Sequence, residues 1–210
     1  DIIKCFLDKV LCPKQKRLII TCDVLMICLV LKTLSKVGRY LMSKDNRDFF
    51  KEKKDWSEIK DTLLGAYLKP YFQKVLMTKR PIFYVDCFSG KGRFDDGKPG
   101  SPIIALDIRK DCIAENAQID MCFIDLNYAS DLELNLSSYS SCYWKPAIFS
   151  GKYEEKIIEI LKTKKNVNVF LYIDPYGIQA LDSELFDIFS TFFIVLSKFN
   201  FFAILILHFL

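Results

Sequence analysis

Apolar residues recur along this 210-residue chain in two alternating patterns. Short uninterrupted apolar runs, which are typical of buried parallel strands, predict strands at 82–86, 119–125, 145–149 and 168–174. Segments with apolar residues every three or four positions predict helices at 15–41, 55–77, 101–112, 127–136, 152–163 and 182–190. Because strands and helices alternate, the pattern favours an α/β fold, with a Rossmann-like parallel sheet and flanking helices.

The predicted helix at 55–77 carries one broad apolar face that should pack on the sheet. This face is formed by Leu63, Leu64, Tyr67, Leu68, Tyr71, Phe72 and Leu76. We expect the charge run at 51–54, just before this helix, to be a solvated approach to it. Ser101 followed by Pro102 is a favourable start for the next helix, since serine caps and proline fits the first turn.

Composition limits the class of protein. With 51% apolar and 14% aromatic residues, the chain can bury one sizeable core. Residues 1–41 hold eight basic and three acidic residues, so the remainder, with 22 basic and 23 acidic residues, is nearly neutral and is not a basic nucleic-acid platform overall. Eight cysteines without a Cys-x-x-Cys pair indicate buried thiols in a reducing cytoplasm, and the lone His208 in an apolar tail argues against histidine chemistry or a metal site.

Both ends differ from the middle of the chain. Residues 1–41 contain a 14-residue apolar run, 18–31, which is short for a membrane span of ~20 residues. We interpret 1–41 as an extension preceding a natural start at Met42, with a genuine N-terminal helix as the alternative. The tail at 192–210 is almost entirely apolar, but its polar residues disfavour membrane insertion, and we interpret it as a truncated or frame-shifted end of the sheet. The expected α/β domain is therefore 42–191.

The most informative stretch is 82–93, where a strand ends in Asp86 and continues as Cys-Phe88-Ser-Gly90-Lys-Gly92. A strand, a carboxylate and Gly-x-Gly place bare backbone near a ligand at the carboxyl end of a first strand. Glycine is needed there because a Cβ atom would block the approach and because the turn can require positive φ.

Three ligands compete for this motif. A dinucleotide fingerprint needs a third glycine three residues after Gly92, where the chain has Asp95. A P-loop fits the spacing from Gly92 to Lys98, but Pro99 replaces the Ser or Thr that holds magnesium and has no amide hydrogen. S-adenosylmethionine (SAM) has no phosphate, and its sulfonium and ammonium groups favour a carboxylate such as Asp86. A tight turn without a ligand remains open.

A second strand end carries residues suited to an amine. The run at 168–173 leads into Asp174-Pro175-Tyr176-Gly177. A carboxylate, a proline-fixed carbonyl and an aromatic ring can accept hydrogen bonds from an amino group and stack on a base. An Asp-Pro turn that merely closes a strand is the competing interpretation.

Asp125 ends the strand between these two motifs. An acid at the tip of the second strand of a nucleoside-binding α/β domain takes the ribose hydroxyls. Asp125 lies 33 residues after Gly92, further than the usual ~20, and the polar loop at 94–100 accounts for part of the excess. An ordinary strand-end turn is the alternative.

Three segments, 49–60, 84–106 and 172–177, resemble the three-Cys-motif partner proteins (TcmP), and the resemblance covers about residues 43–190. It implies a class I methyltransferase-like sheet that binds SAM through Asp86, Phe88, Gly90, Gly92 and Asp125. The pairing of Asp-x-Phe-x-Gly-x-Gly with Asp-Pro-aromatic is also similar to nucleic-acid amino-methyltransferases, which implies catalytic roles for Asp174, Pro175 and Tyr176. There the second motif reads Asp-Pro-Pro-Tyr, whereas this chain lacks the second proline.

We therefore expect a cytoplasmic SAM-binding, methyltransferase-like protein with no metal. DNA or RNA and a three-Cys-motif protein are the expected partners, and a membrane is not. The alternative is a non-catalytic partner module, in a DNA-associated or mobile-element system, that keeps the fold without the chemistry.

Overall fold

A computed structural model describes residues 49–113 and 118–174 and the backbone of 202–206. The helices are α1 (Asp55–Leu76), α2 (Ser101–Ile113), α3 (Ala129–Leu136) and α4 (Tyr153–Lys162), with a 3-10 turn at Ser137–Tyr139. The strands are β1 (Ile82–Asp86), β2 (Ile119–Asp125), β3 (Ala147–Ser150), β4 (Asn168–Ile173) and β5 (Phe202–Ile206). The predicted α/β class is confirmed.

All strand pairs in the sheet are parallel, in the order β3-β2-β1-β4-β5. The chain moves from β1 through β2 to β3 on one side of β1 and returns to β4 on the other. A Rossmann-like sheet has this reversal, and ligands bind in the crevice at the carboxyl ends of the two strands where it occurs. Here those strands are β1 and β4, in register from Ile82 opposite Asn168 to Asp86 opposite Tyr172.

The central strands are buried on both faces, which explains their uninterrupted apolar sequence. One face packs against α1, α2 and α3, with Tyr84, Phe123 and Phe170 among its largest buried side chains. The opposite face packs against α4, whose Ile157 and Leu161 meet alternate residues of the same strands. Two apolar layers therefore hold the sheet rigidly behind its carboxyl edge.

The predicted elements agree closely with the structure where it describes them, since β1 and β2 have the predicted bounds. The third strand begins at Ala147 rather than at 145, because Pro146 has no amide hydrogen for the ladder. Five residues of the apolar tail form β5 and pair with β4. The predicted helices at 15–41 and 182–190 lie outside the described residues.

The predicted helix at 55–77 corresponds to α1. The face predicted for this helix is confirmed, with Leu64, Leu68 and Phe72 fully buried in α1.

In the part of the chain that the structure describes, no helix combines the length and hydrophobicity that a membrane crossing requires.

Candidate functional site

A cleft opens at the carboxyl ends of β1 and β4, where the strand connections reverse direction. Its space accessible to a water-sized molecule is about 50 Å³. The described residues that line it come from α1 and the segment before it, the β1–α2 loop, the start of α2 and the end of β4. They are Phe49, Phe50, Ser57, Lys60, Asp61, Phe88, Ser89, Gly92, Arg93, Phe94, Gly100, Ser101 and Asp174.

The turn after β1 depends on its two glycines. Gly90 has φ 58° and Gly92 has φ 77°, both in the left-handed region that favours glycine. A Cβ atom on Gly92 would lie 2.9 Å from Cδ1 of Leu132, a fully buried side chain of α3. The Gly100 amide donates to the Gly92 carbonyl at 2.9 Å, which fixes the far end of the loop. The backbone of the turn is thus bare and tightly held.

Asp86 lies behind the cleft wall rather than on it. Its carboxylate is fully buried, with Oδ2 accepting from the Ser101 hydroxyl at 2.7 Å and Oδ1 accepting from the Phe88 amide at 3.1 Å. The pKa of Asp86 is raised from 3.8 to about 7, chiefly by burial and also by the neighbouring carboxylates of Asp174 and Asp125, while the hydrogen bonds from Ser101 and Phe88 oppose the rise. Of this group, Ser101, Phe88 and Asp174 reach the cleft.

Asp125 fastens the same turn from β2. Its Oδ2 accepts from the Gly90 amide at 2.8 Å, and its Oδ1 accepts from the amides of Asn127 and Tyr128 at 2.8 and 2.9 Å. Only 6% of the residue is exposed, and it does not line the cleft. The next residue, Leu126, is an apolar side chain that is 56% exposed at the same edge of the sheet. Asp125 therefore has a structural task whatever else it binds.

Asp174 closes the cleft with a lysine from α1. Nζ of Lys60 lies 2.5 Å from both carboxylate oxygens of Asp174, and the two side chains are only 8% and 16% exposed. Lys60 also lies over the ring of Trp56, 4.5 Å from its centroid, and the Tyr172 hydroxyl lies 3.4 Å from Asp174 Oδ2. This buried ion pair crosses from α1 to the end of β4.

A second buried ion pair joins the approach of α1 to its second turn. Nζ of Lys53 lies 2.5 Å from Oδ2 of Asp61 and donates to the Pro99 carbonyl at 2.7 Å. Burial raises the pKa of Asp61, although the hydrogen bond from Lys53 opposes that effect. The expectation of a solvated charge run at 51–54 is therefore wrong for Lys53, which is only 7% exposed because it has this buried partner.

The loop from Gly92 to Gly100 is not arranged to hold a phosphate. The Gly97 amide donates to the Phe94 carbonyl, and the Lys98 amide donates to Asp96. The Lys98 ammonium pairs with Glu58 of α1 instead of pointing at the glycine turn. Since these donors already have protein partners, the geometry disfavours the P-loop interpretation, in agreement with the obstacle that Pro99 presents.

The structure brings only part of the predicted site into the cleft. Phe88, Gly92 and Asp174 line it, whereas Asp86, Gly90 and Asp125 form the layer directly behind. Pro175 and Tyr176 lie outside the described residues. No cluster of three or more potential metal ligands occurs within 49–113, 118–174 and 202–206.

Sequence reasoning missed the contribution of α1. Its buried face runs through Leu64 and Leu68, and continuing that face backward by four and then three positions falls on Lys60 and Ser57. Polar residues that continue an apolar helix face are the signal that could have found them. Asp61 lies beside them and had no signal of its own.

No protein-family model, no curated protein and no solved structure matches this chain significantly. The resemblance to the three-Cys-motif partner proteins therefore stays a prediction. What is shown is a Rossmann-like parallel α/β sheet with a polar cleft at the edge where such sheets bind ligands.

Proposed function

We propose that this chain is a SAM-binding, class I methyltransferase-like protein that acts on an amino group of a nucleic acid. The observation that carries the proposal is the convergence of the Gly90–Gly92 turn and Asp174 on one cleft between β1 and β4. Ligands of Rossmann-like sheets bind at this reversal point.

The charges around the cleft suit a cationic ligand without phosphates. Carboxylates of Asp61 and Asp174 line it, and Asp86 lies directly behind Ser101. A sulfonium or ammonium group placed there would favour the ionised form of these acids. Several loop amides that could hold a phosphate already have protein partners, namely those of Phe94, Asp95, Gly97, Lys98 and Gly100.

The nucleoside part of the ligand would follow the edge of the sheet towards β2. Asp125 tethers the turn through the Gly90 amide and, with three hydrogen bonds already accepted, keeps about one lone-pair site for a ribose hydroxyl. Leu126, exposed beside it, offers the apolar surface on which a base can lie. In this proposal SAM would lie along the edge of the sheet, with its amino-acid end in the cleft and its adenosine end near β2.

Asp174 is the residue proposed to position the acceptor. Its carboxylate can accept a hydrogen bond from an exocyclic N–H and so align the nitrogen lone pair with the methyl group. Pro175 and Tyr176, the next two residues in the chain, would complete the amine site in the manner that the resemblance to TcmP and to nucleic-acid amino-methyltransferases implies.

The alternative function is a non-catalytic partner of a three-Cys-motif or DNA-associated protein. One observation favours it: the Lys60–Asp174 ion pair occupies both carboxylate oxygens of Asp174 in the cleft. A protein that never binds SAM could keep such a pair purely for stability. Ligand binding separates the two functions.

The test is isothermal titration of the full chain with SAM and with S-adenosylhomocysteine (SAH). We expect both to bind, and Gly90→Val to weaken binding more than tenfold, about 1.4 kcal/mol, because a branched side chain would distort the turn. Gly97→Val is the matched control, since Gly97 also has positive φ, at 85°, but a Cβ atom there meets nothing within 4 Å. Absence of binding by the parent protein would favour the non-catalytic function.

A further inference from the structure

Lys60 is a buried cation in the wall of the cleft, and its surroundings hold it in place. Its ammonium group lies over the ring of Trp56 and bonds both oxygens of Asp174. Lys53, the other buried lysine near α1, is paired with Asp61 but does not line the cleft. Of the described residues that line it, Lys60 and Arg93 are the cations, and Arg93 is exposed with its guanidinium on the Gly97 carbonyl.

The ion pair is part of the cleft wall. Lys60 and Asp174 both line the cleft, whose space accessible to a water-sized molecule is about 50 Å³, and their ion pair joins α1 to the end of β4 there. A ligand carboxylate that enters the cleft beside Phe88 and Gly92 therefore meets the Lys60–Asp174 pair. An ammonium group this buried also needs an anionic partner, because an unpaired buried charge destabilises the fold.

We propose that Lys60 is a carboxylate-binding residue that exchanges partners: the α-carboxylate at the amino-acid end of the cofactor displaces Asp174 from Lys60. This inference rests on the proposed function. The exchange replaces one carboxylate by another, so Lys60 stays paired throughout. It also frees Asp174 to accept a hydrogen bond from the acceptor amine, so that the cofactor binds before the acceptor.

The chemistry of the cleft favours a carboxylate as the entering group. One buried lysine matches one negative charge, and the backbone amides that would be needed for a phosphate are used within the loop at 92–100. The neighbouring acids Asp61 and Asp86 leave the site suited to a zwitterion, whose ammonium group they would attract while Lys60 holds its carboxylate.

The experiment compares two probes by isothermal titration: SAH, which has the amino-acid end, and 5′-methylthioadenosine, which lacks it. In Lys60→Gln we expect SAH to bind at least about tenfold more weakly, while 5′-methylthioadenosine changes less than about twofold. In Asp174→Asn we expect SAH to bind about threefold more tightly, because a neutral amide competes less for Lys60, with 5′-methylthioadenosine again unchanged.

The control is Lys69→Gln, which removes a lysine of the same helix from its ion pair with Asp111, outside the cleft, and should leave both affinities within about twofold. If Lys60→Gln does not fold, the double variant Lys60→Gln/Asp174→Asn, which has no unpaired charge, should show the same selective loss of SAH. Equal losses for both probes, or weaker SAH binding in Asp174→Asn, would overturn the exchange and leave the proposed function standing. A parent protein that binds neither probe would refute the proposed function and the exchange with it.

Discussion

The buried carboxylate of Asp86 gives a quantitative prediction about stability and pH. Its side chain is fully buried, and its pKa is raised from 3.8 to about 7, first of all by burial. Folding therefore favours the protonated acid, and the folded state binds more protons than the unfolded chain between these two values. Stability must then fall as pH rises through that interval and become constant above it.

The size of the effect follows from the two pKa values. The difference between 3.8 and about 7, at ~1.4 kcal/mol per pH unit, corresponds to roughly 4 kcal/mol in total. Because titration begins near pH 4 and ends near pH 7, the part that falls between pH 5 and pH 7.5 is roughly 2 to 3 kcal/mol. Asp86→Asn keeps the shape and the acceptor for the Phe88 amide but cannot ionise. Asp86→Asn should therefore not show this pH-dependent loss of stability.

The assay is urea unfolding of the parent and Asp86→Asn at several pH values between 5 and 7.5. Other groups titrate in the same range, so the quantity to follow is the difference in the free energy of unfolding between the two proteins. We expect this difference to move in favour of Asp86→Asn by roughly 2 to 3 kcal/mol as pH rises. The variant Ser101→Ala should lose more stability than the parent as pH rises, because the hydrogen bond from Ser101 lowers the pKa of Asp86. A difference that stays constant with pH would refute the reasoning.

Three further predictions follow from the same site. Gly92→Ala should destabilise the fold by ~1 to 3 kcal/mol more than Gly97→Ala in urea unfolding, because both have positive φ but only the first Cβ collides with Leu132; equal losses would contradict this. SAM is cationic at sulfur and SAH is not, so SAM should gain more affinity than SAH when Asp86 ionises. Between pH 6 and pH 8 the ratio of SAM affinity to SAH affinity should rise by up to about tenfold in the parent protein. In titrations of Asp86→Asn the same ratio should not change with pH. Asp174→Ala should abolish transfer of labelled methyl from SAM to DNA or RNA while SAM still binds, and undiminished transfer would remove this residue from the catalytic role.

The sequence alone determined the class of fold and the order of its elements. Uninterrupted apolar runs such as 82–86 and 119–125 identify strands buried on both faces, and such strands occur in parallel sheets covered by helices. The glycines after β1 were also readable, because positive φ and close packing leave little choice of residue. These features depend only on residues that are close to one another in the chain, so the sequence contains the information that specifies them.

Only the tertiary structure decided which side chains form the cleft. Asp86 and Asp125 end their strands as predicted, yet their carboxylates are used to hold the turn, because buried amides and hydroxyls around them need acceptors. Lys60 reaches Asp174, 114 positions away in the chain, through the packing of α1 on the sheet. A contact of that kind depends on where a helix packs on the sheet, because this packing brings together two buried charges that are distant in the chain. No local sequence pattern specifies that position.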